Sequence, residues 1–129
     1  MNNRAGEIVK AAKTIIENEY PHLESIEALA ESLEIGQYHL IRVFKKETGY
    51  TPNEYLINIR LLSSKYLLSK TDYTLDMIAG LSGFACGNYL CKVFKKHNNM
   101  TPLEFREKCS TGEIKLETKF KSQDDIFFV

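Results

Sequence analysis

A chain of 129 residues with 17 Lys or Arg against 17 Asp or Glu carries no net formal charge, and it is too short for a large enzyme with a lid and a separate cofactor domain. Its apolar content is that of a folded protein, with 7 Gly, 3 Pro and no long low-complexity segment, which excludes a disordered or fibrous chain. No apolar run is long enough to cross a bilayer, and the opening Met1-Asn2-Asn3-Arg4 is unlike a signal peptide, so the expected location is the cytoplasm, away from membranes.

From Ala5 to about Glu19, Ile8, Ala12, Ile15 and Ile16 recur at helical spacing until Pro21 stops them, which predicts a first helix. Ser25 suits the N-cap of a short second helix with Ile26, Leu29, Ala30 and Leu33 inward, and Ile35-Gly36 breaks it before a third helix opens near Gln37. A short helix, a Gly-containing turn and a further helix make a helix-turn-helix pattern. In the third helix the 3.6-residue period puts Leu40, Val43, Phe44 and Glu47 on the core side, and Tyr38, Ile41, Arg42 and Lys45 outward. Gly49 suits a left-handed C-cap, Thr51 an N-cap and Pro52 the first position of a fourth helix reaching about Ser69. Its broad apolar face is Tyr55, Leu56, Ile59, Leu62, Ser63, Tyr66 and Leu67. At roughly 27 Å it has a suitable length to separate two units that read neighbouring DNA turns about 34 Å apart.

Thr74 caps a fifth helix with Leu75, Ile78, Ala79 and Leu81 inward, Gly83 ends it, and Phe84 fills the turn position held by Ile35. The sixth helix is expected from about Gly87 to Asn98, with Leu90, Val93, Phe94 and His97 toward the core and Asn88, Cys91, Lys92 and Lys95 outward. Thr101-Pro102 repeats the cap for a last helix through Phe105 and Arg106. Beyond Cys109, Ile114, Leu116, Thr118 and Phe120 alternate with charged residues, and the chain ends in Ile126-Phe127-Phe128-Val129. This pattern fits an edge strand, a docked tail or the start of a further domain, with disorder of part of it equally open.

Two of these stretches are copies. Val43-Phe44-Lys45-Lys46 followed by Thr51-Pro52 returns 50 residues later as Val93-Phe94-Lys95-Lys96 and Thr101-Pro102, while Ser25 to Ala30 answers Thr74 to Ala79 at an offset of 49. The change of offset places one extra residue near Ala85-Cys86. The repeat predicts an all-α chain of about seven helices. A first helix-turn-helix unit with its linker helix occupies 1–70 and a second unit 71–109, followed by a tail of uncertain structure over 110–129.

Charge follows the same division. Residues 1–36 are acidic, with seven Glu against Arg4, Lys10 and Lys13, whereas residues 37–108 hold 11 basic and 6 acidic side chains. Cys86, Cys91 and Cys109 lack metal-ligand spacing and are expected as reduced thiols, and His22, His39 and His97 are scattered. No metal, no cofactor and no enzyme activity are expected, since no nucleophile with its base falls on one surface.

With both copies in view, the sequence resembles the DNA-binding domain of AraC-type transcription regulators over about Ser25 to Lys108. The likeness is carried by Leu29-Ala30, the run from Leu40 to Gly49, Arg60-Leu61, Ile78-Ala79, Gly83-Phe84, Phe94-Lys95-Lys96 and Thr101-Pro102. The resemblance implies two helix-turn-helix units joined by a long helix, with the third and sixth helices entering adjacent major-groove segments of double-stranded DNA. It implies binding as a monomer unless an effector or dimerisation domain is missing. On these helices the base-reading candidates are Tyr38, Ile41 and Arg42, then Asn88, Cys91 and Lys92. Arg42 has the fork that matches guanine O6 and N7, Ile41 suits a thymine methyl and Asn88 suits adenine. Gln37, Lys45, Lys46, Lys95 and Lys96 are the phosphate candidates.

Three departures stand out: Asn99 where the family usually has Gly, Ser64 where Ala is common, and a second reading helix that begins Ala85-Cys86-Gly87-Asn88 with Lys92 in place of Arg. Gly87 is expected to weaken that helix by up to about 1 kcal/mol, and Lys lacks the guanidinium fork, so the second unit is expected to read bases weakly. The alternative is a protein-interaction module with a degenerate second unit, whose acidic first helix meets a partner such as RNA polymerase.

Overall fold

Capping chemistry sets where each helix begins. The computed structural model describes residues 4–116 and contains α1 (Arg4–Glu19), α2 (Ile26–Ser32), α3 (Gln37–Thr48), α4 (Pro52–Lys70), α5 (Leu75–Ser82), α6 (Gly87–Asn98) and α7 (Pro102–Ser110). Ser25, Thr74 and Thr101 each accept a backbone N–H of their helix's first turn, and Thr51 does the same for Glu54 at 3.1 Å, meeting donors that have no partner within the helix. The far ends are closed by Gly49, Gly83 and Asn99, all with left-handed backbone, so Asn99 takes over the role of Gly. The expected all-α fold is found, and no strand forms among the described residues. Of the C-terminal stretch whose alternation left a strand, a docked tail and a further domain open, only Ile114 to Leu116 are described. The Ile114 N–H donates to the Lys108 carbonyl at 3.1 Å, and the rest of the tail lies outside the described residues.

The chain forms two compact units, the first ending at Ile59 and the second starting at Arg60, so α4 contributes to both. In the first, α1 and α2 pack on α3. Val9, Ala12 and Ile16 are buried with Leu29, Ala30, Leu40, Phe44, Tyr55, Leu56 and Ile59. The rings of Phe44 and Tyr55 meet edge to face at 5.6 Å. The Tyr55 hydroxyl donates to Glu17 Oε1 at 2.8 Å, and the Lys13 ammonium lies 5.7 Å from the Tyr55 ring centre.

In the second unit Leu61, Leu62, Ser64 and Leu68 of α4 are buried with Ile78, Ala79, Ser82, Phe84, Leu90, Phe94 and Phe105. Phe94 and Phe105 repeat the edge-to-face contact at 5.5 Å. The Lys65 ammonium lies 5.9 Å from the Phe105 ring centre, and burial holds its pKa below the usual lysine range. The buried hydroxyls are satisfied: Ser64 Oγ donates to the Leu61 carbonyl at 2.7 Å and Ser82 Oγ to Ser63 Oγ at 3.1 Å. Arg106 turns back from α7 to the end of α4. Its Nε donates to the Leu68 carbonyl at 3.1 Å, and its Nη2 to the carbonyls of Thr71 at 3.2 Å and Tyr73 at 2.9 Å.

Several expected side-chain directions differ. Glu47 and His97 point to solvent, because the buried stripes of α3 and α6 consist of Leu40 with Phe44 and Leu90 with Phe94, and a polar group one turn further on keeps its hydration. On α5 the inward side is Ile78, Ala79 and Ser82, leaving Leu81 51% exposed. Tyr66 stands on the outer side of α4 at 46% exposure, and Leu33, at the C-cap of α2, is half-buried.

Candidate nucleic-acid interface

The two helix-turn-helix pairs share a turn built on one alanine carbonyl. Ile35 N–H donates to the Ala30 carbonyl at 3.1 Å, and Phe84 N–H to that of Ala79 at 2.8 Å. Both alanines are buried where the paired helices converge. The residue before each donor is left-handed, Glu34 in the first turn and Gly83 in the second, so the first turn holds a strained non-glycine residue. Ile35 is followed directly by the N-cap Gly36, whereas Ala85 intervenes between Phe84 and the N-cap Cys86, which locates the extra residue of the second copy. From α5 to α6 the axis bends by 77°.

The outward faces of α3 and α6 carry the side chains singled out in the sequence. On α3, Gln37, Arg42, Lys45 and Lys46 are exposed, Tyr38 is 89% exposed and Ile41 is half-buried. On α6, Asn88, Lys92, Lys95 and Lys96 are exposed and Cys91 is half-buried, in the same register 50 residues on. Each set lies on a single helix anchored by a buried Leu and Phe. One α3 cation is partly engaged: Lys45 Nζ lies 4.0 Å from Glu54 Oε1. Glu54 closes a capping box, accepting the Thr51 N–H at 2.9 Å. That backbone bond, the Thr51 hydroxyl and lastly Lys45 hold its carboxyl below the usual carboxylate range, against a small opposing effect of burial. Lys95 and Glu104 occupy the same places in the second unit and make no such pair among the described residues.

Other side chains near α6 were not singled out in the sequence. Tyr89 is 49% exposed, with its ring edge-on to Phe84 at 6.0 Å. Burial lowers the pKa of Arg60 and the nearby Tyr89 acts in the opposite sense. The helical period that gathers Asn88, Lys92 and Lys95 puts Tyr89 on the flank of that face, which is the signal that was available. Gly87 differs from expectation. It is the first residue of α6 and is buried, and its N–H donates to Asp76 Oδ1 on α5 at 2.8 Å. A Cβ there would stand 2.8 Å from that oxygen. The penalty for glycine in a helix interior does not apply at this position, where the missing side chain permits close approach.

Cys86, Cys91 and Cys109 are free thiols, and burial pushes the Cys109 pKa up, with Lys70 opposing. Among the described residues no three His, Cys, Asp or Glu side chains converge to hold a metal, and no single helix is long and apolar enough to cross a membrane.

Comparison with known proteins agrees with this geometry. A family described as a helix-turn-helix domain matches residues 29–108. The uncharacterised transcriptional regulator YijO of Escherichia coli strain K12 is 30% identical over 104 residues, covering 81% of this chain and 37% of that protein. A transcriptional regulator with an AraC-type DNA-binding domain from Chromobacterium violaceum superposes with a TM-score of 0.75 at 25% identity, over 84% of this chain and 97% of that one. The DNA-binding domain of the global transcriptional factor AdpA, solved with a target DNA, gives 0.73 at 25% identity, over 86% and 96%. The chain spans about a third of the length of the curated relatives it matches. With its paired helix-turn-helix units and a family match over most of its length, the chain belongs to the AraC-type helix-turn-helix family.

Proposed function

We propose that this chain is a sequence-specific double-stranded DNA-binding transcription regulator, a single copy of which engages two adjacent major-groove segments through α3 and α6. The observation that carries the reading is the pair of outward faces in one register but with different side chains: Tyr38, Ile41, Arg42 and Lys45 on α3 against Asn88, Cys91, Lys92 and Lys95 on α6. Arg42 reads guanine by its two-pronged fork, Ile41 packs on a thymine methyl and Tyr38 lies beside them. Asn88 pairs with adenine, Lys92 meets guanine or phosphate, and Cys91 is a small spacer facing the groove. Gln37, Lys45, Lys46, Lys95 and Lys96 grip phosphates and set register. Two unlike faces call for two unlike half-sites about one helical turn apart. The likeness to AdpA, solved with its target DNA, supports this assignment.

The test is selection of sites from random duplexes, followed by the salt dependence of the selected site. Arg42→Ala is expected to cost about 1–3 kcal/mol and to relax preference at one position, while Lys96→Ala weakens all sequences alike and lowers the salt slope by about 1. Unchanged preference in Arg42→Ala removes α3 from the reading role. Failure to bind random duplex even at low salt, where the phosphate attraction is greatest, favours the protein-interaction alternative.

A further inference from the structure

The first N–H groups of a helix have no partner within it and are normally met by the side chain of the N-cap residue itself. Ser25, Thr74 and Thr101 do this for α2, α5 and α7. The two outward-facing helices begin differently: their N-caps, Gly36 on α3 and Cys86 on α6, make no side-chain capping bond, as expected of a residue without a side chain and of a weakly accepting thiol. At α6 the first N–H of the helix finds an acceptor on α5, where Asp76 Oδ1 takes the Gly87 N–H at 2.8 Å from eleven residues upstream. We infer that Asp76 is a positioning residue for the second reading helix: its carboxylate pins the start of α6 against α5 and thereby sets the base preference of the second half-site.

A local cap fixes only where a helix starts. A bond made between two helices also fixes where that start lies against its neighbour. Asp76 is the second residue of α5, so one carboxylate serves the positive ends of two helix dipoles, a favourable place for a negative charge. The fit against the start of α5 is close. A Cβ at position 87 would meet Asp76 Oδ1 at 2.8 Å and the Asp76 nitrogen and Leu75 carbonyl carbon at 3.3 Å each. Asn88 follows directly, and Lys92 lies just over one turn further along the same rigid helix. Base contacts need their side chains held to roughly 0.5 Å, so displacement at Gly87 is carried straight to them. The first unit has no such pin. Glu27 and Gln37, which stand in the places of Asp76 and Gly87, make no such bond among the described residues, and Gln37 is exposed where Gly87 is buried.

The inference rests on the proposed reading of α6 as a base-contacting helix, and the experiment separates the two. Asp76→Ala, Asp76→Asn and Gly87→Ala are made in the full chain. The orientation of α6 against α5 is measured by residual dipolar couplings without DNA, and base preference is measured on duplex libraries randomised in one half-site at a time. Asp76→Ala and Gly87→Ala are expected to reorient α6. They should also lose on the order of tenfold in discrimination at the second half-site, the scale of one charge-assisted hydrogen bond, with the first half-site unchanged. Asp76→Asn keeps an oxygen acceptor and is expected to stay within about threefold of the parent. A merely structural loss lowers affinity for both half-sites together and overturns the inference, as does an Asp76→Ala protein whose α6 keeps its orientation. If Asp76→Ala does not fold, Asp76→Ser poses the same question, because it withdraws the carboxylate from Gly87 while keeping a small polar side chain on α5, and Gly87→Ala then reports the combined effect of crowding the carboxylate and the α5 backbone. A parent protein without second-half-site preference overturns the DNA reading, and the couplings then decide the role of Asp76 alone.

Discussion

The two helix-turn-helix units agree in their cores and differ where helices end. Leu40 and Phe44 are matched by Leu90 and Phe94, Pro52 and Tyr55 by Pro102 and Phe105, and Ala30 by Ala79, all of them buried. Even the outer helix is repeated, since Val9, Ala12 and Ile16 on α1 have the same spacing as Leu61, Ser64 and Leu68 on α4. The first unit is closed mainly by apolar and aromatic packing, with Leu56 buried. At the matching place the second unit has Arg106, which holds three backbone carbonyls, and it adds the Asp76 to Gly87 bond between helices. Close packing constrains core positions to similar volumes, while the unpaired groups of helix ends can be satisfied in many ways, so the units diverge there.

This contrast can be broken at its two matched residues. Leu56→Ala is expected to destabilise by about 2–5 kcal/mol in urea unfolding, through lost burial and a cavity. Arg106→Ala should cost about 2 kcal/mol, chiefly by leaving the part-buried carbonyls of Leu68 and Thr71 without a donor. A loss below about 0.5 kcal/mol for Arg106→Ala defeats the claim that the second unit is closed by polar ties. Next in size, Gly87→Ala should destabilise by about 1–2 kcal/mol through crowding of Asp76, whereas the matching Gln37→Ala should change stability by less than about 0.5 kcal/mol. Equal effects would erase the difference between the two helix starts.

The smallest effect lies at Glu54. Its folded pKa is depressed, so its stabilisation is present above the unfolded pKa of about 4.3 and is lost as pH falls through the lower folded value. Parent and Glu54→Gln proteins should differ in Tm near pH 7 and converge near pH 3. The difference should be no more than about 0.5 kcal/mol, because about half of the side chain is exposed and solvent screens it. A gap that persists at low pH excludes the carboxylate as its source.

What was legible in the sequence was local. Ser25, Thr74 and Thr101 cap, and Gly49 and Asn99 terminate, through bonds within four residues, and the internal repeat placed the pairs of helices around them. The outward faces followed from helical period alone. Asp76, Gly87 and Arg106 were not legible in these roles, because their partners are 11 to 38 residues away and depend on how helices cross. Leu81 and Ser82 show the same limit from the other side: hydrophobicity favoured Leu81 as the inward residue, yet the crossing of α4 and α5 buries Ser82 against the Ser63 hydroxyl.

The hold of Arg106 on the end of α4 has an evolutionary consequence. Its donors meet only main-chain oxygens, which every amino acid supplies, so the grip depends on the length of the connection and hardly on its spelling. Exposed Asp72 can be exchanged freely, and the outer surface there can drift while the unit stays intact. One inserted residue, by contrast, advances the following carbonyls by up to about 3.8 Å, beyond hydrogen-bond reach, and detaches α7 from the helix it braces. Between α4 and α5, lineages should therefore vary at Asp72 and Tyr73 while conserving the number of residues and the hydroxyls of Thr71 and Thr74, which bond through their side chains.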